Sequence, residues 1–425
     1  MRSMNLRKSL ITAALSAASL LPALSVSAQE GMTPYSKYGY GILNDQATSA
    51  QRAMGGVGYA MASGRQVNVM NPASYAAIDS ITFLFDMGIT MSKLWSNETD
   101  TKGVRHSEQE FGGGLNYVTM QFPVAKNMGM AIGLVPFSSV GYSFSNSINN
   151  GSEARSGQGG LNWLFAGYSI RPIKGLSAGV NFGYLFGTVI NDTYVYTNNG
   201  SQTLFETQVE VRDYHLQLGV QYGYDINRDN RITAGVTFTP GKSLLGHAWG
   251  LNYDMTQSTN VADTVGYTSL HHKYTLPAVW GIGANWQWRE KLMVEADFTY
   301  SPWKHAKFPD IDSEKQTMEF SDRWKLALGA QITPKVRGNY LQRITYRGGG
   351  FYENSYVKVL GNNIREYGAS VGLGLPAPAG KTLINLGVEW RHRQASPNSL
   401  IKEDYINVTL GINFNERWFY KNKIR

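Results

Sequence analysis

The most constraining feature of this chain is a period-two alternation that is sustained over ten or more residues and recurs along most of its length. From Tyr405 to Phe414, Ile406, Val408, Leu410, Ile412 and Phe414 fall on one face, and Tyr405, Asn407, Thr409, Gly411 and Asn413 on the other. Leu292, Val294, Ala296, Phe298 and Tyr300 likewise oppose Met293, Glu295, Asp297, Thr299 and Ser301. Successive residues of a strand point to opposite faces, so each run makes one wholly apolar face. Soluble strands have about 5–6 residues, whereas a tilted strand needs about 9–11 to cross a bilayer. Charged residues are 16% of the chain, against roughly 25% in soluble domains. Aromatics gather near run ends, at Trp95, Tyr142, Tyr253, Tyr300, Trp303, Trp324, Tyr340, Trp390 and Tyr405. Amphipathic rings at headgroup level make the aromatic girdles of outer-membrane barrels.

These runs predict an all-β transmembrane antiparallel barrel of about fourteen strands over residues 80–414. The runs 231–250 and 266–288 each count as one strand. Tight turns alternate with longer connections rich in Asn, Ser, Thr and Gly, as at 94–109, 192–206, 251–265 and 303–317. Short periplasmic turns and long outer loops are the outer-membrane pattern. The barrel must close, because an open edge in lipid leaves backbone groups unpaired.

Before the first strand, Arg2, Arg7 and Lys8 precede an apolar run, and Val26-Ser27-Ala28 offers small residues for cleavage, so residues 1–28 read as a signal peptide. Their removal lowers the formal net charge of +8 by three. An exported, mildly basic chain of this kind gives no ground for a nucleic-acid partner. The chain has no cysteine, which excludes disulfides, thiolate metal sites and a lipoprotein anchor. Beyond the leader, no run of about 18 apolar residues predicts a membrane helix. Residues 29–79 do not alternate and hold Gly55, Gly56, Gly58 and Gly64 among many apolar residues. They are read as a hatch folded into the lumen. Residues 415–425 read as a basic, aromatic periplasmic tail.

Asn71-Pro72-Ala73 stands just before strand one. Leu276-Pro277-Ala278 is followed by a glycine-containing strand and by Asp297-Phe298-Thr299-Tyr300-Ser301-Pro302-Trp303. Pro136-Phe137 and Arg347 to Tyr352 are weaker signs. With the leader and the Gly-rich segment, this order resembles the FadL/TodX family of outer-membrane transporters, over nearly all the mature chain. The resemblance implies passive uptake of hydrophobic molecules, such as long-chain fatty acids, across the outer membrane of a Gram-negative cell. It implies a hatch ending in the Asn71-Pro72-Ala73 motif, and lateral release into outer-membrane lipid where strand three kinks, here at Pro136. The alternative is a non-transporting accessory barrel with a protein partner in a secretion or assembly complex.

Nothing in the sequence carries turnover chemistry. Gly241-Lys242-Ser243 lacks the rest of a phosphate loop, Asp225-x-Asn227-x-Asp229 lacks the glycine and glutamate of a calcium loop, and no G-x-S-x-G or H-E-x-x-H occurs. The chain is read as a non-enzyme without cofactor or metal. By alternation Asp86, Glu295, Asp297, Arg323, Lys325, Glu389 and Arg391 point into the lumen, since a charge at the lipid midplane costs about 2–4 kcal/mol. Inward Gly179, Gly183, Gly187, Gly281, Gly283, Gly372 and Gly374 leave room for the hatch or ease curvature.

Overall fold

The computed structural model describes residues 33–99, 103–255, 263–271, 274–308, 318–335, 338–377 and 382–417. The leader over 1–28 and the tail beyond 417 lie outside the described residues. In chain order the strands are β1 (Ile42–Leu43), β2 (Thr82–Thr99), β3 (Arg105–Ala125), β4 (Met128–Ile148), β5 (Gly151–Ile173), β6 (Leu176–Thr197) and β7 (Gln202–Asp225). Then come β8 (Asn230–Thr239), β9 (Lys242–Ser243), β10 (Gly246–Asp254), β11 (Asp263–His271), β12 (Thr275–Leu276) and β13 (Val279–Trp288). The last are β14 (Leu292–Ser301), β15 (Arg323–Ile332), β16 (Thr345–Val359), β17 (Asn362–Pro376), β18 (Leu383–Ser396) and β19 (Lys402–Arg417).

Fourteen of them form the wall: β2 to β8 in order, then β13 to β19, every neighbour antiparallel. The ring shuts where β19 returns to β2, from Lys402 opposite Asn97 to Arg417 opposite Thr82. Closure satisfies every strand's neighbours around the ring, the condition lipid imposes. The closing ladder runs past Phe414, so Asn415, Glu416 and Arg417 belong to the wall rather than to a tail.

The burial pattern is inverted relative to a soluble protein. Val236, Ile282, Leu326, Leu328, Val388 and Val408 are exposed on the outer face, while Thr90, Asn181, Gln221, Asn285, Asn385 and Asn413 are buried inside. The lipid solvates the first set, and hydrogen bonds such as Asn181 Nδ2 to Gln217 and Asn413 Nδ2 to Asp86 hold the second.

Three further features depart from the sequence reading. The runs 231–250 and 266–288 are each interrupted. Pro240 and Pro277 cannot donate to a ladder, and β9 pairs only with β12, as a separate two-residue ladder between the wall below and the β10–β11 hairpin above. Strand extends far into the connections expected at 94–109, 192–206 and 251–265, as where β6 and β7 stay paired up to Tyr196 opposite Gln202, whereas the described part of 303–317 is a 3-10 turn and irregular chain. Three expected girdle aromatics, Tyr142, Trp303 and Tyr405, are buried instead. Trp303 packs tilted on Tyr356 at 4.1 Å, inside a cluster that roofs the lumen with Tyr40, Phe308 and Phe320.

Candidate functional site: the lumen and its wall

Residues 33–78 are mostly buried against the inner face of the wall, while Asp79, Ser80 and Ile81 are exposed. Thr48 and Gln51 cap the short helix Ser49–Arg52. Two glycines with positive φ, Gly55 (+74°) and Gly56 (+81°), then reverse the chain, which costs glycine least. Asn68 fastens the next loop: its Nδ2 donates to the carbonyls of Gly58 (2.6 Å) and Met61 (2.8 Å), and its Oδ1 accepts from Gln51 Nε2 (2.8 Å). Asn71 caps the 3-10 turn Pro72–Ala77. Its Oδ1 accepts from Ala73 N at 3.0 Å, and its Nδ2 donates to the Tyr59 carbonyl at 2.6 Å. Proline at the first position of that turn has no amide to leave unpaired.

The wall approaches this segment through missing side chains. A Cβ on Gly179 would fall 2.5 Å from the Pro72 backbone, one on Gly349 2.2 Å from Met54 C, and one on Gly283 2.8 Å from Tyr59 Cβ. Gly281 and Gly372 likewise face Tyr59 and Ala53. Gly183 and Gly187 instead admit neighbouring strand backbone, and Gly374 faces the Arg347 guanidinium.

The charged residues expected inside the lumen are placed as follows. Asp297 Oδ2 accepts from Gly58 N at 2.6 Å and Tyr59 N at 3.0 Å. Glu295 Oε1 accepts from Ala60 N at 2.8 Å, and its other oxygen from Asn285 Nδ2 at 2.8 Å. Asp86 accepts from the Tyr117 hydroxyl (2.8 Å) and Asn413 Nδ2 (2.9 Å), and the Tyr117 oxygen in turn accepts from Ser49 N (2.9 Å) and lies 3.0 Å from Ser49 Oγ. Arg323 bridges Glu353 (2.6 Å) and Asp45 (3.6 Å), and Lys325 pairs with Asp45. Arg391 joins Glu389 (3.0 Å) and Glu366 (3.3 Å). The first five thus bear directly on the luminal segment or on its immediate support, and Glu389 with Arg391 forms a wall network.

The sequence reading missed Asp45, Arg347, Arg393, His215 and Lys242. Burial pushes the Asp45 carboxyl up, but Lys325, Arg323 and Arg391 outweigh it and hold it well below the usual carboxylate range. Arg393 is enclosed by Glu366 (2.7 Å), Glu403 (3.1 Å) and the Tyr405 hydroxyl (2.9 Å). Asp45 had one signal, as the single acidic residue between Glu30 and Asp79.

Above the luminal segment is a cavity of ≈ 100 Å³. Its lining joins Leu43, Phe137 and Met70 to Asp45, Lys325 and His215. The lining is mixed, with Asp45, Lys242, Asp297, Arg323 and Lys325 set among Leu43, Met70, Phe137, Leu276 and Trp303. No group of three or more His, Cys, Asp or Glu suits a metal among the described residues.

The wall beside this cavity is not continuous. β3 and β4 pair from Ala125–Met128 only as far as Val118–Leu134. Above that level β3 pairs with β2 alone. On its other side β4 stays paired to β5, with a bulge between Pro136 and Ser138. Pro136 therefore stands where the ladder to β3 has ended. The freed edge of β4 turns to the luminal segment. β1 pairs Ile42 with Ser139 and Leu43 with Ser138, Asn44 N donates to the Phe137 carbonyl at 3.0 Å, and Thr33 N donates to the Gly141 carbonyl at 2.7 Å. Phe137 then reaches across the lumen to His215, 5.4 Å between ring centres.

The comparisons agree with this geometry. The family model described as BamG matches residues 8–425. No curated protein matches the sequence. Among solved structures, a Pseudomonas aeruginosa FadL homologue is similar at a TM-score of 0.63 and 10% identity, over 89% of this chain and 99% of that one. The toluene transporter TodX of Pseudomonas putida gives 0.59 and 12%, over 89% and 100%. The toluene transporter TbuX of Ralstonia pickettii gives 0.52 and 14%, over 88% and 99%. At these identities the likeness is one of fold: the chain is an outer-membrane barrel of FadL type, in a Gram-negative envelope.

Proposed function

The chain belongs to the BamG family, and we propose that it passes a small hydrophobic molecule across the outer membrane by way of its wall. The observation that carries this reading is the ladder between β3 and β4, which stops at Val118–Leu134 beside the cavity. Once β1 leaves the freed edge of β4, the break gives a route from lumen to lipid that an apolar solute prefers to a wet axis. In this reading Pro136 makes the kink, because it cannot donate to the ladder. The segment 33–79, closed by Asn71-Pro72-Ala73, is the hatch that blocks the straight path to the periplasm. Asp86, Glu295, Asp297 and Lys325 hold that hatch, and Lys325 or Arg323 meets a ligand carboxylate where there is one. A fatty acid is the longest ligand the reading entertains.

A second reading, an accessory barrel in a secretion or assembly complex, draws on one specific observation. The cavity is ≈ 100 Å³, below the roughly 300–1,000 Å³ of usual ligand sites. Native mass spectrometry on unboiled barrel in mild detergent separates the two. A bound apolar molecule on a lone barrel supports passage, and its mass begins to name the ligand. A stoichiometric protein partner with no small ligand refutes passage in favour of the accessory role.

A further inference from the structure

The luminal cavity borders a second interruption of the wall, far from strand three. β7 is paired to β6 without a gap, from Leu176–Tyr222 to Tyr196–Gln202. Its other edge is paired to β8 only up to Leu218–Phe238, and to β10 only from Val211–Gly246. Between these points, Arg212 to Gln217 face a stretch beginning at Thr239 that has left the ladder. Pro240 starts that departure, and Pro277 stands across from it, where Gly241 comes close to its backbone. Lys242, Leu276 and Pro277 line the cavity, so β9 and β12 lean over the lumen. His215 and Gln217, the inward side chains of β7 at the gap, line the same cavity.

Side chains close this gap. Lys242 Nζ lies 2.5 Å from Asp213 Oδ1 and 3.3 Å from the Tyr214 carbonyl, and 3.1 Å above the Tyr214 ring centre. Asp213 Oδ2 also accepts from Leu245 N at 2.8 Å, and Arg212 N donates to the Leu245 carbonyl at 3.2 Å. On the lipid side, Tyr214 borders an apolar depression of ≈ 510 Å³ that includes Ile132, Leu164, Phe182 and Tyr184. A lipid-side depression and a luminal cavity thus meet at one lysine and one tyrosine. The strand-three break differs in kind: its freed edge is already paired to β1, and Tyr35 and Val140 pack in the apolar core beside it.

We propose that the gap between β7 and β9 is a second lateral portal, latched by Lys242 on Asp213, through which a small apolar solute dissolved in the outer leaflet reaches the luminal cavity. The proposal rests on the passage reading above and adds a door to it. Swinging the Lys242 side chain away breaks its ion pair to Asp213, its hydrogen bond to the Tyr214 carbonyl and its contact on the Tyr214 ring, while β9 stays on β12 and Leu245 keeps its bonds to Arg212 and Asp213. A lysine suits this work, because its long stem follows apolar surface while its ammonium stays at the polar level.

The absence of native cysteine allows a direct test. Asp213→Cys with Lys242→Cys is bridged in cells by a short bis-methanethiosulfonate, and uptake of the apolar dye N-phenylnaphthylamine is followed by fluorescence. Gel mobility of unboiled samples confirms that the barrel is folded. Bridging is expected to lower dye uptake to the level of cells lacking the protein, with recovery on reduction. Lys242→Met, which removes the latch but keeps its bulk, is expected to raise uptake above wild type. Wild-type uptake that bridging leaves unchanged overturns the portal and leaves passage standing. No uptake by wild type over cells lacking the protein overturns passage itself, and the portal with it.

Discussion

Removal of one carboxylate, Asp297→Ala, should free the loop around Gly58 while leaving the barrel intact. Asp297 Oδ2 accepts from two backbone amides of the luminal segment, Gly58 N and Tyr59 N. Both are buried, and a buried donor left unpaired costs about 1–3 kcal/mol. The loop should therefore lose about 2–6 kcal/mol of its hold, with the lower end favoured by relief of repulsion between Asp297 and the neighbouring Glu295. At about 1.4 kcal/mol per factor of ten, local opening should rise by roughly 30-fold or more. The ladders of β14 with β13 and β15 are backbone-only, so global unfolding should be unchanged. Hydrogen exchange read by mass spectrometry on peptides covering residues 54–62 measures this. Asp297→Asn keeps an acceptor oxygen of the same shape and should fall between the two. If Asp297→Ala exchanges at the wild-type rate there, the loop is held by the packing of Met54, Val57 and Met61 on Phe351 and Met293, and the carboxylate argument fails.

Three further outcomes are expected. Gly349→Val places a Cβ 2.2 Å from Met54 C, a backbone atom that cannot yield, so the luminal segment should become protease-sensitive while the barrel still runs as a folded band on unboiled gels. Leu328→Arg puts a charge on an exposed lipid-face position near the middle of β15 and should cost about 2–4 kcal/mol in urea titrations of folding into liposomes. Truncation after Arg417 should assemble normally, whereas truncation after Phe414 removes three residue pairs from the closing ladder and should lower the temperature at which the folded band is lost.

The wall was readable in the sequence because lipid imposes a strict rule on every strand that crosses it. The apolar faces of β14 and β19 stand out without any knowledge of neighbours. Above the membrane both faces of a strand are wet, the alternation fades, and the outer parts of β6 and β7 read as loops rich in Asn and Thr. The interruption at Pro240 and Pro277 carried a signal in the prolines themselves, since proline in a central strand marks an edge or a bulge. The lumen was only half readable. Alternation points Lys325 and Arg323 inward, but their shared partner Asp45 lies 280 residues away from Lys325 in the chain, on a segment with no periodicity. Arg393 with Glu403 lies directly across the β18–β19 hairpin, and Lys242 meets Asp213 across the gap beside β7, pairings that depend on a register the alternation alone does not give.

The wall is of unequal height. β5 has 23 residues and β7 has 24, while β13, β14 and β15 have ten each. At about 3.3 Å per residue the tall strands run some 80 Å and the short ones about 33 Å, just enough to cross the bilayer. The barrel therefore stands in the outer membrane like a tower cut on a slant. A large body approaching from outside meets the high side first, across β4 to β7 and the β10–β11 hairpin, and is held away from the low side. Among the described residues, the low side is covered by the roof around Trp303 and Phe308, and no tall strand stands there. On the proposed passage reading, such a slope would sort visitors by size before any side chain selects them by chemistry.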